Sequence, residues 1–158
     1  MAGTPATVAL ARAGVRFTEH PYDHDASGSS YGTQAAVALG LPPDQVFKTL
    51  IVSVDGRLTV GVVPVSGHLD LKAVAAAVGG KRAAMADPVD AERATGYVVG
   101  GISPVGQRRL HPTVLDRSAL SFETVYVSGG RRGLDVGLSP GDLARVTRAV
   151  VAAVGRPA

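Results

Sequence analysis

One lysine stands in an unusual setting. The chain has three lysines, Lys48, Lys72 and Lys81, against 13 arginines. Lys48 sits within Val46-Phe47-Lys48-Thr49-Leu50-Ile51-Val52-Ser53-Val54. In an extended run, Val46, Lys48, Leu50, Val52 and Val54 share one face, and Phe47, Thr49, Ile51 and Ser53 the other. Both faces are mostly apolar, which predicts a central strand. An ammonium group there must find a partner, a pocket or a route to water. One reading is a lysine that reaches outward along its stem. The other is a compact cation that orients an ester or phosphate, or opposes a developing oxyanion.

Glycines and arginines supply the next candidates. Gly100-Gly101 follows Tyr97-Val98-Val99, read as a short apolar strand. Two glycines let a backbone approach a ligand and present N–H donors, or merely turn the chain toward Pro104. The turn from Ser128 to Gly133 carries Arg131 and Arg132, with Asp135 just beyond. Those arginines can meet phosphates or form a solvated tip; if they meet phosphates, their removal weakens affinity for an acidic partner and flattens its salt dependence. Tyr22 and Tyr31 bracket a polar stretch from His20 to Tyr31, where each can stack on a base, offer a hydroxyl or pack inward. His20 and His24 are four apart, near Asp23 and Asp25, but Pro21 opposes a helix, so the spacing does not define a metal pair. No metal or cofactor is expected. No phosphate-binding loop, dinucleotide fingerprint, His-Glu-x-x-His or Gly-x-Ser-x-Gly elbow occurs.

The elements that must position these residues are legible in outline. Thr4-Pro5 starts a helix that Gly14 stops, and Val15 and Phe17 alternate with polar residues as in a strand. Thr33–Leu39 reads as a helix. Val46–Val54 and Arg57–Val65 flank Asp55-Gly56, a two-residue hairpin turn. Helices are predicted over Asp70–Val78 and Pro88–Thr95, strands over Arg82–Met85 and Thr113–Leu115. A second hairpin pairs Glu123–Ser128 with Leu134–Leu138. Ser139 caps a long last helix, with Leu143, Val146, Val150 and Val154 on one stripe and Gly155 at its end. These hairpins with interspersed helices predict an α+β or mixed α/β class.

Composition narrows the function classes. At 158 residues the chain fits one domain, residues 1–158. There is no cysteine, which removes disulfides, thiolate metal sites and any cysteine nucleophile of its own. The net charge of +3 is compatible with an acidic partner such as RNA. Three Phe, four Tyr and no Trp argue against a broad base-stacking platform. No apolar leader and no run of about 18 apolar residues is evident, so a cytoplasmic protein without membrane contact is expected.

Taken in order, several strings carry a resemblance. They are Asp44-Gln45-Val46-Phe47-Lys48-Thr49-Leu50, Gly67-His68-Leu69-Asp70-Leu71-Lys72, Met85-Ala86-Asp87-Pro88, Thr95-Gly96-Tyr97-Val98-Val99-Gly100-Gly101-Ile102-Ser103-Pro104 and Tyr126-Val127-Ser128-Gly129-Gly130-Arg131-Arg132-Gly133-Leu134-Asp135. Over nearly the whole chain, this pattern resembles the YbaK-type Cys-tRNA(Pro) deacylases. These lie within the aminoacyl-tRNA editing domains related to the insertion domain of bacterial prolyl-tRNA synthetases. The resemblance implies a mixed, partly barrel-like sheet flanked by helices. It implies action in trans on the 3′-terminal aminoacyl-adenosine of mischarged tRNA(Pro), alongside prolyl-tRNA synthetase, with no DNA partner.

By the same resemblance, Lys48 is the essential lysine and Gly101 a second catalytic position. Tyr22, Tyr31, Thr49, Gly100, Ile102, Ser103, Ser128, Gly129 and Asp135 shape the pocket. Relatives more often carry phenylalanine at Tyr31. The implied chemistry is attack of the substrate's own thiol on its ester, which needs no enzyme nucleophile and excludes amino acids without a thiol. Hydrolytic editing of another mischarged tRNA, such as Ala-tRNA(Pro), and a non-catalytic tRNA- or synthetase-binding module are the alternatives.

Overall fold

The computed structural model describes residues 3–24 and 31–158. Local signals set most element ends. Helix α1, Pro5–Arg12, starts at Thr4, whose hydroxyl oxygen accepts from the Thr7 N–H at 3.1 Å. Its Ala6 and Leu10, four apart, turn one face inward. Strand β1, Phe17–Pro21, follows, and then α2, Tyr31–Leu39, so Tyr31 opens a helix rather than closing a loop. Strands β2, Phe47–Val54, and β3, Arg57–Pro64, pair about Asp55-Gly56 at φ +51° and +83°. Both turn residues need positive φ in such a hairpin, which aspartate tolerates and glycine favours. The Asp55 carboxylate accepts from the Lys81 and Arg82 N–H groups at 2.9 and 3.0 Å, tying this turn to the next strand.

The remaining elements are β4, Gly67–Leu69; α3, Leu71–Ala77; β5, Ala83–Met85; α4, Pro88–Thr95; and β6, Thr113–Asp116. Then come β7, Val125–Arg131; β8, Leu134–Leu138; α5, Pro140–Thr147; β9, Val150–Ala152; and β10, Gly155–Pro157. A five-stranded sheet runs β5-β2-β3-β6-β9, antiparallel through β3 and parallel beyond it. A three-stranded antiparallel sheet runs β1-β8-β7, and β4 pairs with β10. A bridge from Val46 to Tyr126 joins the two larger, open sheets where β2 begins. The fold is thus a mixed α+β arrangement, as the pattern predicts. Among the described residues no helix is long and apolar enough to cross a membrane.

β2 is central and buried on both faces. Phe47 and Ile51 join the larger core with Leu10 of α1, Val127 of β7, Val136 of β8 and Leu143 of α5. Val52 and Val54 join a second core with Val74 of α3 and Val114 of β6. Each such fully buried side chain contributes about 1.5–3 kcal/mol, so the strand carrying Lys48 is held from both sides.

Three expectations fail. The last helix does not reach Val154. It ends at Thr147, with Arg148 at φ +53°, and Val150–Ala152 pairs in parallel with β6. The spaced apolar residues fit a helical stripe, but the valine-rich run also fits an edge strand. The Asp116 carboxylate then takes the Val154 and Gly155 N–H groups at 2.9 and 2.7 Å. Tyr97–Val99 is bend and turn, not strand. The Tyr97 hydroxyl donates to the Val105 carbonyl at 2.6 Å, and the Val99 N–H donates to the Glu92 carboxylate at 2.7 Å. The second hairpin is tighter than expected: β7 continues to Arg131 past a bulge, leaving Arg132-Gly133 as the turn.

Candidate active site

A cavity of about 420 Å³ lies where β2 approaches the three-stranded sheet. β2 contributes Lys48 and Thr49 to its wall. Ser128 of β7 and Asp135 of β8 are direct cross-strand partners and both line it. Tyr22 enters from the end of β1, Tyr31 from the start of α2, and Gly100 and Ile102 from the segment after α4. Phe47, Ile51, Met85, Ala86 and Pro88 make much of the remaining wall apolar.

Lys48 is partly buried and makes no ion pair with an acid among the described residues. Its Nζ donates to the Gly67 carbonyl at 2.7 Å, and burial lowers its pKa below the usual lysine value. Gly67 belongs to β4, held by β10 and by an ion pair between Arg156 and Asp70 at 2.6 Å. The two short strands that sequence reading missed therefore fix the position of this ammonium.

Two further polar groups have no hydrogen-bond or ion-pair partner among the described residues. The Thr49 hydroxyl is buried and has no hydrogen bond among the described residues. Asp135 is only 5 % exposed, and no hydrogen bond or ion pair to its carboxyl is found among the described residues. Burial pushes its pKa up to about 7. Tyr22 is pushed up to about 12, by burial first and then by the Asp135 charge. The Tyr22 N–H donates to the Gly133 carbonyl at 2.8 Å, and its hydroxyl reaches the Tyr31 carbonyl at 3.4 Å. Buried polar groups cost stability unless something satisfies them, so their convergence on one cavity makes it the candidate ligand site.

The glycine pair divides. Gly100 lines the cavity at φ +90°, and a Cβ there would overlap the Tyr31 ring. Gly101 does not line it. Its N–H donates to the Val98 carbonyl at 2.8 Å, and a Cβ would press on the Arg131–Arg132 backbone at 2.7–2.9 Å. A turn thus engages the N–H that the sequence reading offers to substrate at Gly101. Ser103 also lies outside the lining: it is fully buried, and its hydroxyl oxygen accepts from the Val105 N–H at 3.2 Å. Gly129 also stands off the cavity, packed over Leu134, with its carbonyl accepting from the Thr4 hydroxyl.

Arg131 and Arg132 are exposed at the hairpin tip, outside the lining. The Arg132 guanidinium stands 5.0 Å above the Tyr31 ring, and its Nε donates to the Val99 carbonyl at 2.9 Å. The His24 ring lies 5.8 Å from the Tyr31 ring, while His20 and the Thr18 hydroxyl share a hydrogen bond at 2.7 Å. Among the described residues no cluster of three or more metal-ligating side chains occurs. Asp25 and the rest of segment 25–30 lie outside the described residues.

Sequence reading missed the Gly67 carbonyl and the apolar walls from Met85, Ala86 and Pro88. A carbonyl has no residue-type signature, and apolar walls look like core until the fold leaves them facing a cavity. The glycine geometry leads to a prediction. Gly100→Ala is expected to displace Tyr31 and lower kcat/KM on the site's substrate by about tenfold or more, while costing only ~1–2 kcal/mol of stability. Gly101→Ala should instead mainly lower the melting temperature. Thermal melts beside single-turnover rates check both, and equal effects from the two variants would refute the distinction.

Residues 28–146 match the model of the family described as "Aminoacyl-tRNA editing domain". Over 108 residues the chain is 39 % identical to an Enterococcus faecalis protein named "Putative Cys-tRNA(Pro)/Cys-tRNA(Cys) deacylase EbsC". That match covers 66 % of this chain and 65 % of the relative, just under two thirds of its length. The crystal structure of a protein described as hypothetical superposes with a TM-score of 0.85 at 29 % identity, covering 96 % of this chain and 99 % of that one. The structure of "a putative trans-editing enzyme for prolyl tRNA synthetase" gives 0.81 at 26 % identity, covering 96 % and 95 %.

Proposed function

The chain belongs to the aminoacyl-tRNA editing domain family, and from that premise we propose that it removes cysteine from mischarged Cys-tRNA(Pro) in trans. The whole chain acts as one editing domain in the cytoplasm, where tRNA is charged, and works on tRNA(Pro) beside prolyl-tRNA synthetase. The observation that carries this reading is the polar content of an otherwise apolar cavity. Among the described residues it holds one anchored ammonium, one buried carboxyl without a cation and one hydroxyl without a partner, in a chain that has no cysteine.

Each of those groups has a counterpart in an aminoacyl ester. The α-ammonium of the amino acid is the cation that Asp135 lacks. The Thr49 hydroxyl suits a polar atom of the ester or ribose. The Lys48 ammonium opposes charge developing on the carbonyl oxygen, and the terminal adenosine lies against Tyr31. The substrate thiol then attacks the ester carbon: a sulfur–carbon bond forms, and the bond to the ribose oxygen breaks. The thiol proton ends on that ribose oxygen, and cysteine departs as a cyclic thioester. The enzyme contributes alignment and charge rather than a nucleophile, effects that reach about 7–11 kcal/mol for alignment alone in favourable cases.

Single-turnover assays of Cys-, Ser- and Ala-tRNA(Pro) test this reading. Cysteine is expected to be lost at least ~1,000-fold faster than serine or alanine, beyond the ~10–200-fold by which a hydrophobic pocket alone separates one small group. Comparable loss of alanine would replace the thiol mechanism with hydrolysis by water. No loss from any of the three would leave a tRNA- or synthetase-binding module.

A further inference from the structure

A second concavity, of about 970 Å³, opens beside the cavity and carries four arginines. Arg57 begins β3 at the hairpin turn, Arg93 lies on α4, and Arg108 and Arg109 come from the segment between α4 and β6. All four are exposed, and none makes an ion pair among the described residues. The acids lining the same groove are Asp87 and Asp90. The Asp87 carboxylate is already engaged as the α4 cap, accepting from the Val89 N–H at 2.8 Å. For a chain of net charge +3, this groove is a marked concentration of positive charge.

The arginines are partly oriented before any ligand arrives. The Arg108 N–H donates to the Thr95 carbonyl at 2.9 Å, and its Nη1 reaches the Arg93 carbonyl at 3.5 Å. His111, at the same groove, bonds Gln107 through Nδ1 at 2.9 Å. Its pKa is lowered by burial and then by the Arg109 charge. Met85 and Leu110 are 54 % and 59 % exposed and offer apolar contact for bases or riboses.

Continuity with the cavity identifies the occupant. Met85 and Ala86 line both spaces, so a strand lying in the groove would pass over Met85 into the site. Arginine forks match phosphate oxygens, and unpaired surface arginines release counterions when they do so. The hairpin-tip arginines are less suited, since Arg132 is already committed to Tyr31 and Val99.

We propose that this groove binds the phosphate backbone of the tRNA acceptor end and delivers its 3′ terminus across Met85 into the cavity. The proposal rests on the function proposed above, and its test separates the two. The variant is the triple substitution Arg57→Gln, Arg108→Gln and Arg109→Gln. The control is Arg16→Gln, Arg117→Gln and Arg145→Gln, which removes the same charge from exposed positions outside the groove. Melting curves confirm that both fold.

Binding of an uncharged acceptor-stem RNA hairpin is followed by fluorescence anisotropy from 50 to 300 mM KCl. The groove variant is expected to bind at least tenfold more weakly than wild type near 100 mM salt. Its slope of log Kd against log salt should be shallower by about 2, near 0.7–0.9 per lost phosphate contact. Cleavage of a cysteinyl-adenosine ester, which has no acceptor stem, should stay within twofold of wild type. Unchanged hairpin affinity and slope would overturn the proposal, as would an equal loss in the control. A matching loss on cysteinyl-adenosine would also overturn it, by placing those arginines in the cavity's work. If wild-type protein cleaves no ester at all, the deacylase reading fails while the hairpin titration still decides the groove.

Discussion

Lys48→Ala is expected to slow single-turnover loss of cysteine from Cys-tRNA(Pro) by roughly 10²–10³-fold, the range for removing one preorganised charge from an oxyanion. The reason is geometric. The ammonium sits on a strand buried on both faces and is tied to the Gly67 carbonyl at 2.7 Å. It therefore needs little reorganisation when charge develops on the substrate carbonyl. The cost in stability should be small, about 1 kcal/mol, because only one hydrogen bond to a neutral carbonyl is lost. Lys48→Arg keeps the charge but replaces a point donor with a planar fork, so it should not restore the rate. A loss below tenfold for Lys48→Ala, with melting unchanged, would remove Lys48 from the chemistry.

Asp135→Asn is expected to do two opposite things. Its carboxyl has a pKa of about 7 in the folded chain against an ordinary value of 3.8. The folded state thus holds this proton more tightly than the unfolded state. Stability from this group is fully present below about pH 4 and is lost as pH rises toward 7, by on the order of 3–4 kcal/mol in total. The amide does not ionise. The variant should therefore gain on wild type between pH 4 and pH 8, by roughly 6–16 °C in melting temperature for a chain of this size. A difference that stays flat across that range would contradict the buried, unpaired carboxyl.

The same substitution should lower activity. Without the carboxylate, a substrate with a free α-ammonium is expected to lose ~10–100-fold in kcat/KM, the worth of a charge-assisted hydrogen bond. An N-acetylated cysteinyl ester, which has no ammonium to pair, should react equally with both proteins. For wild type, binding of the ester with a free α-ammonium should strengthen as pH rises toward about 7, where Asp135 ionises, and weaken again above about 8, where the α-ammonium loses its proton. Equal losses on the free and acetylated esters would place Asp135 in a purely structural role.

How much of this was legible in the sequence depends on the range of the interaction. Thr4, Asp55-Gly56 and Ser139 announce caps and a turn because those bonds close within a few residues. The two apolar faces of Val46–Val54 announce a central strand, since the period of two is local as well. Lys48 is conspicuous for the same reason, an ammonium in a run that otherwise avoids water. Tertiary structure decided the rest. The partner of Lys48 is a carbonyl 19 positions away, and the packing that separates Gly100 from Gly101 comes from Tyr31 and from the 131–132 backbone. The last valines form a strand because β6 offers them an open edge. The four groove arginines, spread from position 57 to 109, share no spacing that a single sequence could reveal. They meet because strand pairing and helix packing bring distant segments together, and those contacts leave no mark in the local periodicity from which elements are read.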